Sequence, residues 1–326
     1  LPKISVVAPV YNEEAVLPLF YERLRDALER LPCEAEILFV DDGSTDGTGA
    51  LLEGLASSDH RVRALRFTRN FGHQAALCAG LEHCNGDAVV LIDADLQDPP
   101  ELIADFYGKW ADEGFDVVFG RRRRLEEGVL KRVVYHAFYR ALAWLASIDI
   151  PLDTGDFSLI DRRVVDSLVA LPERTRFLRG LRSWVGLRQT GIEYTRHARN
   201  RGESKYSLPK LFQLAFDGIV SFSTVPLKLA LVTGLVVSAG GFLLILFLVY
   251  LRLRLSFDLP GWTSLMVIVL FLGGIQLFTI GIVGEYIARI YEEVKRRPLY
   301  LVARRLGFEE TPARPQRVSG DLRPWK

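Results

Sequence analysis

The stretch Val89-Val90-Leu91-Ile92-Asp93-Ala94-Asp95-Leu96-Gln97-Asp98-Pro99-Pro100 decides how this chain is read. Its apolar run has no polar alternation, which predicts a parallel strand covered on both faces. Ligands of open α/β sheets sit outside the carboxyl ends of such strands, so Asp93 and Asp95 are expected at a crevice. Two carboxylates one residue apart repel each other unless a cation lies between them. Hard ions such as Mg²⁺ or Mn²⁺ prefer oxygen ligands and share them with substrate phosphates. A lone D-x-D also fits a solvated acidic turn capping the helix after Pro99-Pro100, so the neighbouring sequence has to decide.

Working outward, strands alternate with helices. Ile4 to Pro9 is a β-branched run, and Glu13 to Arg30 places Val16, Leu17, Phe20, Leu24, Ala27 and Leu28 at helical spacing. Ile37-Leu38-Phe39-Val40 stops at the turn formers Asp41-Asp42-Gly43-Ser44, which lead into a helix ending near Leu55. Val62 to Phe67 is a third strand, followed by the turn Arg69-Asn70-Phe71-Gly72-His73 and an alanine-rich helix from Gln74 to Cys84. Phe115 to Phe119 is a fifth strand. This order predicts an α/β fold with a mostly parallel sheet and helices on both faces. Beyond it come a long helical pattern from Glu126 to Ser147, the acids of Asp153-Thr154-Gly155-Asp156 running into an apolar strand, two helices over Arg162–Leu171 and Arg176–Val185, and a strand from Gln189 to His197.

With 326 residues and 49% hydrophobic content, the chain can fill a core and still has apolar sequence to spare. A net charge of +1 carries no nucleic-acid signature, and no nucleic-acid partner is expected. Cys33, Cys78 and Cys84 lack paired or metal-ligand spacing and read as reduced, buried thiols of a cytosolic compartment. The chain opens on Leu1 without a signal-peptide pattern, so its first segment is expected to be the first strand of a domain.

The surplus apolar sequence is C-terminal. Leu229 to Leu251 and Leu259 to Gly284 carry no charge, and each exceeds the roughly 20 residues needed to cross a bilayer. Arg252 to Asp258 is too short for a domain, so the two spans form a hairpin. Basic residues before it (Lys205, Lys210, Lys228) and after it (Arg289, Lys295, Arg296, Arg297, Arg304, Arg305) outweigh Arg252 and Arg254 in the loop, which predicts a plasma-membrane protein with a cytoplasmic catalytic domain. Leu208, Leu211, Phe212, Ala215, Ile219 and Phe222 form one stripe, suited either to the headgroup layer or to packing on the soluble domain. The expected units are a domain over 1–206, an amphipathic helix over 207–226, a hairpin over 227–288 and a basic tail over 289–326. Gly234, Gly240-Gly241 and Gly273-Gly274 offer small faces for close helix packing, so a homo-oligomer is expected.

Together the strand tips carry Pro9-Val10-Tyr11-Asn12-Glu13, Asp41-Asp42-Gly43-Ser44, Arg69-Asn70-Phe71-Gly72 and Asp93-Ala94-Asp95-Leu96-Gln97. This set resembles the nucleotide-sugar-binding half of family 2 glycosyltransferases with the GT-A fold. The second half, with Gly155-Asp156-Phe157, Gly202-Glu203-Ser204-Lys205-Tyr206-Ser207 and Gly284-Glu285-Tyr286-Ile287-Ala288-Arg289-Ile290-Tyr291, is similar to GtrB-like polyprenyl-phosphate glucosyltransferases, dolichol-phosphate mannose synthase and the aminoarabinose transferases of lipid A. The resemblance implies nucleotide-sugar contacts from Pro9, Tyr11, Glu13, Asp42, Arg69, Gly72, Asp93, Ala94 and Asp95. It implies a Mg²⁺ or Mn²⁺ site at Asp93, Asp95 and Gln97, catalytic carboxylates at Asp95 and Asp156, a UDP-sugar donor and a polyprenyl phosphate acceptor. Arg121, Arg201, Ser204 and Lys205 suit the acceptor phosphate near the lipid bilayer, and a solvated basic face is the plainer reading of the same residues. Arg121-Arg122-Arg123-Arg124 is a longer basic run than the family suggests.

The reaction expected on these grounds is hexosyl transfer, glucose first, with mannose from GDP-mannose, N-acetylglucosamine, galactose or aminoarabinose as alternatives. A processive polysaccharide synthase shares the first half, but Arg182-Ser183-Trp184 does not satisfy its Q-x-x-R-W motif. The first strand is not followed by the G-x-G-x-x-G turn of a dinucleotide oxidoreductase. A membrane-anchored nucleotide-sugar sensor would not need a separate acceptor-side acid such as Asp156.

Overall fold

A computed structural model describes residues 1–122, 154–173, 177–195, 225–255 and 261–308. In chain order the elements are β1 (Lys3–Val10), α1 (Leu17–Leu28), β2 (Glu34–Asp41), α2 (Thr48–Ser58), β3 (Val62–Phe67), α3 (His73–His83), β4 (Ala88–Leu91), α4 (Ile103–Ala111), β5 (Val117–Arg122), β6 (Thr154–Asp161), α5 (Arg162–Ala170), α6 (Leu178–Val185), β7 (Gln189–Tyr194), α7 (Val225–Leu255), α8 (Trp262–Lys295) and β8 (Val302–Leu306).

The strands form one sheet in the order β7-β5-β6-β4-β1-β2-β3-β8. β1 pairs in parallel with β2 and β4, β2 with β3, and β5 with β7, while β6 runs antiparallel to both β4 and β5. Because side chains alternate across a strand, β1 feeds two cores. Ile4, Val6 and Ala8 pack with Leu17, Phe20 and Leu24 of α1 and Phe106 of α4. Val7 packs on the other face with Leu77 of α3, Val164 of α5 and Leu181 of α6. The expected doubly covered, mostly parallel sheet is present.

Three details differ from the sequence reading. α1 starts at Leu17, because Pro18 suits a first helical turn and Glu13 instead receives turn hydrogen bonds from the Val16 and Leu17 N–H groups. β5 runs on to Arg122, paired along its length with β7 as far as Arg122 opposite Tyr194. Val302–Leu306, read as part of a basic tail, is the edge strand β8, antiparallel to β3. It is held by Tyr300, which stacks on Phe67 at 4.9 Å and donates its hydroxyl to Glu82 at 2.5 Å.

α7 and α8 pack against each other, and their apolar side chains face outward: Leu231, Leu235, Leu270, Leu277 and Phe278 are all exposed. Both helices are long and apolar enough to cross a membrane. The helical patterns over 126–147 and 208–222 fall outside the described residues.

Gly43 joins the loops that carry the site. Its φ is +75°, and a Cβ there would lie 2.5 Å from the Arg69 carbonyl carbon. Gly43→Ala is therefore expected to cost about 1–3 kcal/mol, from left-handed backbone strain and a clash with main chain. Thermal unfolding of the solubilised protein should show a midpoint several degrees lower, and an unchanged midpoint would contradict this packing.

Candidate active site

The site lies along the edge of the sheet where β1, β2 and β4 end in acids or turn formers and the antiparallel β6 begins with Asp156. Asn12, after β1, takes a left-handed conformation with φ of +56°. Its N–H donates to Ser44 Oγ at 3.0 Å, and its Oδ1 accepts from the Thr45 N–H at 2.9 Å. The Glu13 N–H donates to Thr48 Oγ1, which fastens the first motif to the second. Tyr11, 45% exposed, presents a free aromatic surface beside this junction.

Both acids ending β2 are buried and committed to the scaffold. Asp41 accepts from the Ser44 N–H at 2.8 Å and pairs with Arg66 at 3.3 Å. Asp42 accepts from the N–H groups of Phe71 at 2.7 Å and Gly72 at 3.0 Å, and so shapes the Arg69–Gly72 turn. Burial raises the Asp42 carboxyl above its usual range against the opposing pull of those two amides. The Arg69 guanidinium lies 4.1 Å from the centre of the Phe71 ring.

β4 ends at Leu91, and the acids follow on a tight loop. Ala94 is buried, and Asp93, Asp95 and Gln97 are partly exposed. Asp95 Oδ1 accepts from the Gln97 N–H at 3.0 Å, and Leu96 is held at a φ of +60°. Conformations of this kind are uncommon for leucine and collect at ligand sites. Asp98, 1% exposed, anchors the loop from below by accepting the Tyr194 hydroxyl at 2.5 Å. Burial, reinforced by the Asp98 charge, pushes the Tyr194 phenol well up. Arg122 reaches the same place from β5. Burial pulls its guanidinium down, and Tyr194, Asp98 and Asp93 more than offset that, so it stays charged. Arg122 Nε is buried without a hydrogen-bond partner. Arg121 points to solvent.

The first turn of α3 connects the two sides of the site. His73 Nε2 lies 2.8 Å from Asp93 Oδ1. Burial lowers the imidazole's affinity for a proton, but the hydrogen bond and charge of Asp93 outweigh it and raise the His73 pKa. The next residue, Gln74, donates its Nε2 to Asp156 Oδ2 at 3.4 Å, and its Oε1 accepts from the Leu178 N–H at 3.1 Å. That second bond fixes which end of the amide faces Asp156. Arg179 Nη2 also lies 3.4 Å from Asp156 Oδ2, while Asp156 Oδ1 is buried without a partner. The carboxylate thus has one anchored oxygen and one left for other work. Arg182 lies deeper, 3% exposed.

Of the residues expected from sequence, the structure gathers Pro9, Tyr11, Glu13, Asp42, Arg69, Gly72, Asp93, Ala94, Asp95, Gln97 and Asp156 along this edge. Arg201, Ser204 and Lys205 lie outside the described residues. His73, Gln74, Arg122, Arg179 and Arg182 were not singled out. Adjacency to the Arg69–Gly72 turn could have found the first two, and the shared i,i+3 helix face the last two.

Residues 5–169 match Glycosyl transferase family 2, and residues 225–290 match the GtrB C-terminal hairpin. The chain belongs to glycosyl transferase family 2. This family 2 enzyme is 47% identical to the uncharacterized glycosyltransferase YkcC of Bacillus subtilis over 94% of each chain. It is 46% identical to the SfII prophage-derived bactoprenol glucosyl transferase of Shigella flexneri, over 92% of this chain and 97% of that one. Its α7 and α8 are the hairpin that the second match describes.

Tyr194→Phe would remove a donor from a buried carboxylate at the floor of the glycosyltransferase site, a loss of about 1–3 kcal/mol. A lowered unfolding midpoint is the expected result. An unchanged midpoint would show that Asp98 does not depend on that hydroxyl.

Proposed function

We propose that this glycosyltransferase moves glucose from UDP-glucose to undecaprenyl phosphate at the cytoplasmic face of the membrane, with Mg²⁺ or Mn²⁺ required. The observation that carries this reading is the pairing of two carboxylates through consecutive residues: His73 on Asp93, and Gln74 on Asp156. One edge thereby offers a donor side and an acceptor side. The name of the Shigella flexneri relative, a bactoprenol glucosyl transferase, supports the sugar and the lipid, and two helices long and apolar enough to cross a membrane suit an acceptor that resides there.

Asp93, Asp95 and Gln97 carry hard oxygen donors on one partly exposed loop, the donor type a divalent cation takes, and His73 would have to release Asp93 for an ion to bind there. Bound there, the ion would supply charge stabilisation for the departing diphosphate. The rest of the work falls to side chains. Pro9, Tyr11, Glu13 and Asp42 take the base and ribose of the nucleotide. Arg69 lies on the donor side. An acceptor phosphate, with a second pKa of about 6, carries a nucleophilic oxygen at neutral pH, so no strong base is required. Asp156 orients that oxygen and steadies the positive charge developing on the sugar. Arg121, Arg201, Ser204 and Lys205 hold the phosphate headgroup.

Enzyme in lipid nanodiscs, given radiolabelled UDP-glucose, undecaprenyl phosphate and Mg²⁺, should convert label into an organic-soluble glycolipid. EDTA should stop it, and GDP-mannose or UDP-N-acetylglucosamine should serve less well. Asp95→Ala is expected to lower turnover by about two orders of magnitude or more. Absence of glycolipid from every nucleotide sugar tried would sink the proposal.

A further inference from the structure

Arg182 is the most costly residue of the acceptor side and has no role in the chemistry above. Its side chain is 3% exposed, and its Nε and Nη2 are buried without hydrogen-bond partners. Among the described residues no carboxylate forms an ion pair with it. It lies against the Phe119 ring, 5.2 Å from the guanidinium to the ring centre, and at longer range the charge of Asp156 favours it while that of Arg179 opposes it. Its backbone is pinned, since Gln189 Nε2 donates to the Arg182 carbonyl at 2.9 Å. Burial lowers the guanidinium pKa to about 10, so the charge persists at neutral pH.

A buried charge without a close partner opposes folding, and replacing it by an apolar side chain of similar size commonly leaves a protein as stable or more so. Stability therefore does not account for Arg182. What it faces does. Asp156 is met by Gln74 from α3 and Arg179 from α6, and at longer range it feels the charges of Arg182 and His73. Gln74 and Arg179 both hold Oδ2, and the field of Arg182 acts on a carboxylate whose Oδ1 has no other partner.

We infer that Arg182 is a positioning residue, kept inside the domain one turn from Arg179 so that its charge orients the Asp156 carboxylate toward the acceptor. The inference rests on the acceptor-side role proposed for Asp156. It is tested with the full-length enzyme in nanodiscs by comparing Arg182→Met, Arg182→Lys and Asp156→Asn. Arg182→Met should keep or raise the unfolding midpoint, lower kcat by about tenfold or more and leave KM for UDP-glucose within about twofold. Arg182→Lys should recover part of that kcat, because the charge returns without the planar fork. A lower midpoint in Arg182→Met, a kcat within about twofold of wild type, or no recovery with lysine would each overturn it. Full turnover by Asp156→Asn would remove the role of Asp156 and this inference with it. Loss of turnover there, with Arg182→Met fully active, would remove the Arg182 assignment alone.

Discussion

Mutual repulsion among carboxylates is the constraint on which this site depends. Asp41, Asp42, Asp93, Asp95, Asp98 and Asp156 crowd one edge of the sheet, and like charges so placed oppose folding unless each finds donors. Each does so by a different route. Asp41 takes Ser44 and Arg66, Asp42 takes two amides of the Phe71–Gly72 turn, Asp93 takes His73 and Asp95 takes the Gln97 amide. Asp98 takes Tyr194, and Asp156 takes Gln74 and Arg179. Ser44 and Gln97 serve the acids of their own loops, and the other donors come from a different loop or element, so satisfying the acids also assembles the site.

The N-terminus of α3 is where these solutions meet. Gly72, with a φ of +100°, turns the chain so that His73 and Gln74 open the helix, and the partial positive charge of that end favours carboxylates nearby. Close approach of α3 to the sheet depends on Gly80, where a Cβ would stand 2.1 Å from Val7 Cγ1. The opposite end of α3 carries Glu82, the partner of Tyr300. One helix thus connects the two carboxylate sides to the strand that follows the membrane hairpin. Strain collects at the same edge, in Asn12 and Leu96 with positive φ and in the unpaired guanidinium of Arg182, where a structure optimised for stability alone would have none.

Much of this was legible in the sequence. An unbroken apolar run ending in acids identified β4 and its loop, because full burial on both faces leaves no room for polar alternation. The two uncharged C-terminal segments announced themselves by length alone. β8 was not legible: Val302-Ala303-Arg304-Arg305-Leu306 needs only Val302 and Leu306 partly buried at a sheet edge, and its arginines read as a solvated tail. Arg182 was missed for the opposite reason, since arginine is almost never fully buried and composition gives no hint that this one is. Asp42 was legible as a member of the second motif, but the two backbone amides that its oxygens accept come from the Phe71–Gly72 turn and are brought near only by folding.

The proposed division of labour along this edge has the donor held from the β4 loop and the acceptor served from β6. Calorimetric titration of UDP-glucose with Mg²⁺ into wild type, Asp93→Asn and Asp156→Asn tests it most directly. Asp156→Asn should bind the donor as wild type does, and Asp93→Asn should bind it far more weakly. Equal loss of donor binding in both variants would contradict it.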